Sequence, residues 1–172
     1  MTIHTIGHGT RASDELVDLL KAHGVAQVAD VRGIPRSRRH PHFSIERLPA
    51  ALALGDIAYR HFPQLGGMRK PRPDSTNIGW RRPGFRGYAD HMAGQAFKAG
   101  LAELITWSRD QPTAMMCAEG VWWRCHRQLI ADALIARDVE VRHILTRAAP
   151  QRHGLTEFAR IAEGQVTYPG LI

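Results

Sequence analysis

Residues 2–31 read TIHTIGHGTRASDELVDLLKAHGVAQVADV, and this stretch decides the fold class. Thr2–Ile6 is short, β-branched and apolar, as a strand should be, and it runs into the turn signal Gly7-His8-Gly9. Ser13 is placed to cap a helix, with Asp14 and Glu15 in the first turn, where negative charge is favoured. Leu16, Val17, Leu19 and Leu20 supply one apolar face, and Gly24 suits the left-handed residue that follows a helix. Val25–Val31 is a second strand, interrupted only by Gln27 and Asp30, as expected where both faces are covered. A strand–helix–strand unit crosses over right-handed, so these two strands should be parallel.

The alternation continues outward from that unit. Arg32–Phe43 is a polar loop. A helix is expected from Ile45 to Leu54, with Pro49 in its first turn and Gly55 as its stop. Ile57–Phe62 follows as a third strand. Gln64–Gly87 is rich in Gly, Pro and Arg and has no apolar period. It is too long for a plain connection, and such loops are usually functional. Phe85, Tyr88, Ala89 and Met92 indicate a short helix, and Phe97, Leu101, Leu104 and Ile105 an amphipathic one. Thr113–Cys117 reads as a buried strand, Ala118–Arg124 as a loop, and Leu129, Ile130, Ala133 and Leu134 as the inner face of a helix starting near Cys125. Val139–Leu145 is the last strand, and a short helix is expected over Leu155–Ala162. The expected architecture is a doubly wound α/β fold, a mainly parallel sheet of about five strands with helices on both faces. One domain is expected to span 1–172, with long basic loops within 32–88.

Composition narrows the function classes. The hydrophobic fraction of 44% is that of an ordinary globular protein. No apolar run reaches 18 residues, so no helix should cross a membrane. The first residues lack the pattern of a secretory signal. Two cysteines are too few for a disulfide scaffold, and a reducing, cytoplasmic setting is expected. The net charge of +7 is uneven. Residues 32–88 carry twelve basic and three acidic side chains, a net +9, while the remainder carries −2. Such a field suits a nucleic acid or a phosphate-bearing small molecule, although a merely solvated basic face gives the same sum. Nothing in the sequence specifies a cofactor or an oligomeric state.

Ligands of doubly wound sheets bind outside the carboxyl ends of the strands. Those ends are Gly7-His8-Gly9, Asp30-Val31-Arg32 and Cys117-Ala118-Glu119. Cys117 is the expected nucleophile or redox centre, its thiol lowered by backbone N–H groups, Arg124 and Arg127, with Cys125 the less reactive thiol. Glu119 and His8 are candidate acid–base groups. Gly7 and Gly9 allow close backbone approach, and Arg32, Arg124, Cys125, His126 and Arg127 complete an anion or substrate site. Plainer roles compete. Cys117 also suits the end of a buried strand, His8 a solvated turn, and Glu119 an ion pair with Arg124 or Arg127. Trp122 and Trp123 suit either a stacked base or the cover of a core edge. A metal site from His8, Cys117, Cys125 and His126 matches no familiar zinc spacing. Six residues lie between Cys117 and Arg124 against five in Cys-dependent phosphatases, and Glu119 would repel phosphate.

Thr5-Ile6-Gly7-His8-Gly9-Thr10, Asp30-Val31-Arg32 with Pro35 and Ser37, Leu65-Gly66-Gly67, and Cys117-Ala118-Glu119 with Cys125-His126-Arg127 follow one another in order. Together they resemble the bacterial and archaeal family called domain of unknown function 488, from Thr5 to about Leu145. Gly9 departs from the serine usual in that family. The resemblance implies a fold and a site at these motifs, and no reaction. Three functions remain. One is an enzyme acting on a nucleotide, nucleic acid or other phosphate-bearing anion. Another is a non-catalytic nucleic-acid-binding module. The third is a metal-binding protein using Cys and His.

Overall fold

The structure is a computed structural model that describes residues 1–170. Six strands form one sheet in the order β3-β2-β4-β1-β5-β6. These are β1 (Thr2–Gly7), β2 (Gln27–Asp30), β3 (Ala58–His61), β4 (Thr113–Cys117), β5 (Glu140–His143) and β6 (Gln151–Arg152). The first five are mutually parallel, and β6 joins the edge antiparallel to β5. Helices α1 (Ser13–Ala22), α2 (Leu48–Leu54), α3 (Pro83–Met92), α4 (Gln95–Trp107) and α5 (Arg127–Ile135) fill the connections. The sheet is thus the doubly wound, mainly parallel one expected, with β6 added at one edge.

The period of two in the central strands sorts their side chains onto two cores. Ala114 and Met116 of β4 pack with Ile6, Val28 and the apolar faces of α1 and α2. Met115 and Cys117 face the other way, into the core shared with α3, α4 and α5. Helix α1 therefore leads from β1 to β2 on one face, and α5 leads from β4 to β5 on the other. The two connections leave adjacent strands in opposite directions, which opens a crevice at the carboxyl ends of β1 and β4.

Several local details differ from expectation. Ser13 is the first helical residue, not the cap; Ala12 holds the cap position, and no side chain bonds the free N–H groups there. Gly24 does adopt φ +69°, and the N–H groups of Gly24 and Val25 bond the carbonyls of Lys21 and Leu20, closing α1 in a Schellman turn. The helix expected over Leu155–Ala162 is absent. Strands β7 (Arg160–Ala162) and β8 (Gln165–Thr167) form an antiparallel hairpin there instead. Glu163 and Gly164, both at positive φ, make the two-residue turn that suits such a hairpin. Only Val166 of β7 and β8 is buried, so this stretch has no apolar stripe to hold a helix.

Candidate active site

The ends of β1 and β4 are zipped together beyond the sheet proper. His8 N–H donates to the Cys117 carbonyl at 2.9 Å and Gly9 N–H to that of Ala118 at 3.0 Å. This requires glycine at position 7, where a Cβ would lie 1.8 Å from the Glu119 carbonyl oxygen. Gly7 and Gly9 thus serve backbone contact within the chain, and neither lines the crevice. The crevice is a cavity of about 570 Å³, within the range of small-ligand pockets. His8, Arg32, Cys117, Glu119, Arg124, Cys125 and His126 all line it. Arg127 does not.

Arg127 lies beneath the floor, 1% exposed. Its guanidinium donates to the Glu119 carbonyl through Nη2 and to Cys125 Sγ through Nε at 3.5 Å. It is therefore the internal partner of the sulfur, and an incoming anion does not meet it. Arg32 is likewise committed. Its Nε and Nη2 grip the Asp30 carboxylate at 2.9 and 2.7 Å, and Nη2 also donates to the Phe43 carbonyl. Tyr59 completes the carboxylate's shell at 2.6 Å. Only Nη1 of Arg32 turns toward the cavity, 3.4 Å from His8 Nε2.

His8 is itself buried, stacked on Phe43 with ring centroids 4.2 Å apart. Its Nδ1 donates to the Gly9 carbonyl at 2.9 Å, so Nε2 carries the lone pair. Burial, assisted by the Arg32 charge, lowers its pKa to about 4. His8 is thus a neutral hydrogen-bond acceptor near pH 7 and too weak a base for proton abstraction there.

The two thiols are buried and reduced, and their order of acidity is opposite to the sequence expectation. Burial is the leading influence on both. At Cys117 nothing outweighs it: the thiol shares its proton with Cys125 and is pushed well above the ordinary value. At Cys125 burial is overcome by the hydrogen bond from Cys117 and by His126 and Arg127, and the thiol is held well below the ordinary value. The geometry explains the difference. Cys125 Sγ accepts from the Arg127 backbone N–H and Nε, each at 3.5 Å, just before α5 begins. Cys117 Sγ lies 3.9 Å from the Glu119 carbonyl and shares a hydrogen bond with Cys125, and the lowering influences of Arg127 and the Glu119 backbone do not offset its burial. The two directions thus make Cys125 the thiol favoured in its ionised form, where the sequence had suggested Cys117.

His126 is fixed by an Nε2 hydrogen bond to the Val31 carbonyl at 2.8 Å, and Gly67 packs against its ring so closely that a Cβ would meet Nδ1 at 2.9 Å. The Glu119 carboxylate is exposed, accepts the Val121 N–H at 3.4 Å, and forms no ion pair with Arg124 or Arg127. Trp122 stacks on His143 at 4.1 Å and covers a core edge. Among the described residues no group of three or more His, Cys, Asp or Glu side chains gathers as a metal site.

Ser37 and Gly67, which belong to the motifs of the resemblance, also line the cavity, whereas Ile34 and Arg36 from the first basic loop, Met68 from the second, and Phe85 and Tyr88 from α3 escaped sequence reasoning. Their signal was the unusual length of the loops, which carries no information on which residues point inward.

A family model described as Domain of unknown function DUF488 matches residues 12–134. The chain belongs to this family. The match takes in β2, β4, the cysteine pair and both basic loops, and leaves out β1 with His8 and everything after α5. Comparison with curated proteins and with solved structures gives no match. Among the described residues no helix is long and apolar enough to cross a membrane.

Proposed function

We propose that this DUF488 chain is a thiol-dependent enzyme acting on the organic part of a phosphate-bearing anion, with Cys125 as the nucleophile. The observation that carries this is the Cys125 sulfur, surrounded by Arg127 and His126 and lining a mostly apolar cavity. Polar groups are few in that cavity, which fits a ligand with an apolar body. Arg124 and Arg36 at its edge suit the anionic part.

In the step this arrangement supports, the Cys125 sulfur gives an electron pair to an electrophilic carbon of the bound group. An S–C bond forms as a π bond of that carbon breaks, and the displaced pair takes the proton of the Cys117 thiol. Consumption of the Cys125 charge makes that transfer easier, because this charge is among the forces that hold the proton on Cys117. His8 Nε2 and Arg32 Nη1 orient the ligand as acceptor and donor.

Iodoacetamide alkylation across pH, read by peptide mass spectrometry, tests this reading. Cys125 should react well below the pH of ~8.5 at which an ordinary thiol ionises, and a phosphate-bearing ligand of the cavity should protect it. A Cys125 that reacts only above that pH contradicts the proposal.

A further inference from the structure

Two apolar side chains beside the cavity are more exposed than any packing role explains. Ile34 is 79% and Met68 102% exposed, yet both line the cavity. The loops that carry them are joined backbone to backbone, for a Cβ on Gly66 would fall 2.5 Å from Gly33 Cα. Met68 also holds φ +60°, the left-handed region that side chains other than glycine rarely adopt. An apolar side chain is thus kept in water, in an unfavourable backbone conformation, next to the reactive sulfur. Strain of this kind concentrates at ligand clamps. Arg38 and Arg39 on the first loop and Lys70 on the second are exposed and form no ion pair among the described residues, as is Arg124 on the cavity edge.

We propose that the ligand is a base extruded from a nucleic-acid duplex, with Ile34 and Met68 entering the stack that the base leaves. Apolar side chains of this size serve as wedges between base steps. An enzyme that works on a base must first remove it from the stack, because its reacting atom is out of reach inside the duplex. The flanking phosphates would meet Arg38, Arg39, Lys70 and Arg124, in keeping with the net +9 of residues 32–88. A free nucleotide would use the cavity and a cation or two, but would leave Ile34 and Met68 with no partner. This inference rests on the cavity being the reactive site, and it specifies the substrate of that site.

A DNA duplex with the fluorescent adenine analogue 2-aminopurine at a mismatch tests it, at ~50 mM salt, where phosphate contacts are strong. The native chain should bind and raise the fluorescence as the analogue unstacks. The double variant Ile34→Ser, Met68→Ser should bind with the same salt dependence and lose most of the rise. The double variant Arg38→Ala, Arg39→Ala should bind more weakly, with a slope of log affinity against log salt shallower by about 1.8. Absence of duplex binding overturns the inference. So does binding without a fluorescence rise, or a rise that survives in the Ile34/Met68 variant. Alkylation of Cys125 in the same samples separates the two proposals. A reactive Cys125 without duplex binding overturns only the substrate, whereas an unreactive Cys125 overturns the function.

Discussion

Two clusters of buried ionisable side chains flank α5, and they differ in how completely their polar atoms are matched. On the tail side, the Asp132 carboxylate accepts His153 Nε2 at 2.8 Å, the Thr156 N–H at 3.0 Å and the Tyr168 hydroxyl at 2.7 Å. His153 Nδ1 meets His143 Nε2 at 2.9 Å, and His143 Nδ1 meets Thr5 Oγ1 at 2.7 Å, with Trp122 stacked over the ring. Every ring nitrogen and carboxylate oxygen is used. On the crevice side, Cys125 and His8 are as well buried, but both line an open cavity, and His8 Nε2 has only the long 3.4 Å contact from Arg32 Nη1. The difference shows that burial and a perturbed pKa do not by themselves mark a site. The closed cluster fastens residues 151–170, which lie beyond the family match, to β1 and α5. The open one leaves its side chains within reach of a ligand.

The largest expected effect breaks the closed cluster. Asp132→Ala strands the His153, Tyr168 and Thr156 donors and should destabilise the chain by about 3–5 kcal/mol, measured by urea unfolding. Cys125 should still alkylate at neutral pH in the fraction that remains folded. A loss below about 1 kcal/mol would mean that the cluster does not hold the tail.

Acid should act on both clusters together. Burial lowers the pKa of His143 to about 3 and of His8 to about 4, against 6.5 in the unfolded chain. Below pH 6.5 the unfolded state binds protons that the folded state refuses. Stability is therefore complete above that pH and declines toward pH 4 and 3, by about 1.4 kcal/mol per pH unit for each histidine. Unfolding midpoints measured from pH 7 to pH 4 check this, and His143→Gln should make the slope shallower by the contribution of that one ring. A flat profile would contradict the neutral, buried state of both rings.

Gly7→Ala links the two regions. Its methyl group must displace the Glu119 carbonyl, which Arg127 holds from below, and a loss of about 1–3 kcal/mol is expected from thermal unfolding. Cys125 should also react more slowly at neutral pH, because Arg127 shifts with that carbonyl. The smallest effect is expected from Glu119→Gln. The carboxylate is exposed, so stability should change by less than about 0.5 kcal/mol and Cys125 alkylation should be unchanged. A marked change in alkylation would sharpen the comparison by bringing Glu119 into the electrostatics of the site.

Legibility in the sequence followed the same division. The parallel neighbours β2, β4 and β1 were readable because each is a short apolar run with a turn signal at its carboxyl end, and topology then forces those ends together. That is why His8, Arg32, Cys117 and Cys125, read from separate segments, line one cavity. Which thiol ionises was not readable. It depends on the direction of the Arg127 guanidinium, whereas the sequence argument rested on the strand-end position of Cys117. The anion-binding roles expected of Arg32 and Arg127 left out two facts: Asp30, two residues from Arg32, pairs with it, and Arg127 points inward. The terminal hairpin was not readable because its strands are three residues each with only Val166 buried, which leaves the Glu163-Gly164 turn as its main local signal.

The central claim is that the crevice holds one thiolate and that it is Cys125. Because the chain has only two cysteines, titration of the ultraviolet thiolate absorbance in single variants tests it most directly. The native chain and Cys117→Ser should each show one thiolate at pH 7, and Cys125→Ser should show none, with all three folded by circular dichroism. A thiolate that persists in Cys125→Ser and disappears in Cys117→Ser would contradict the account.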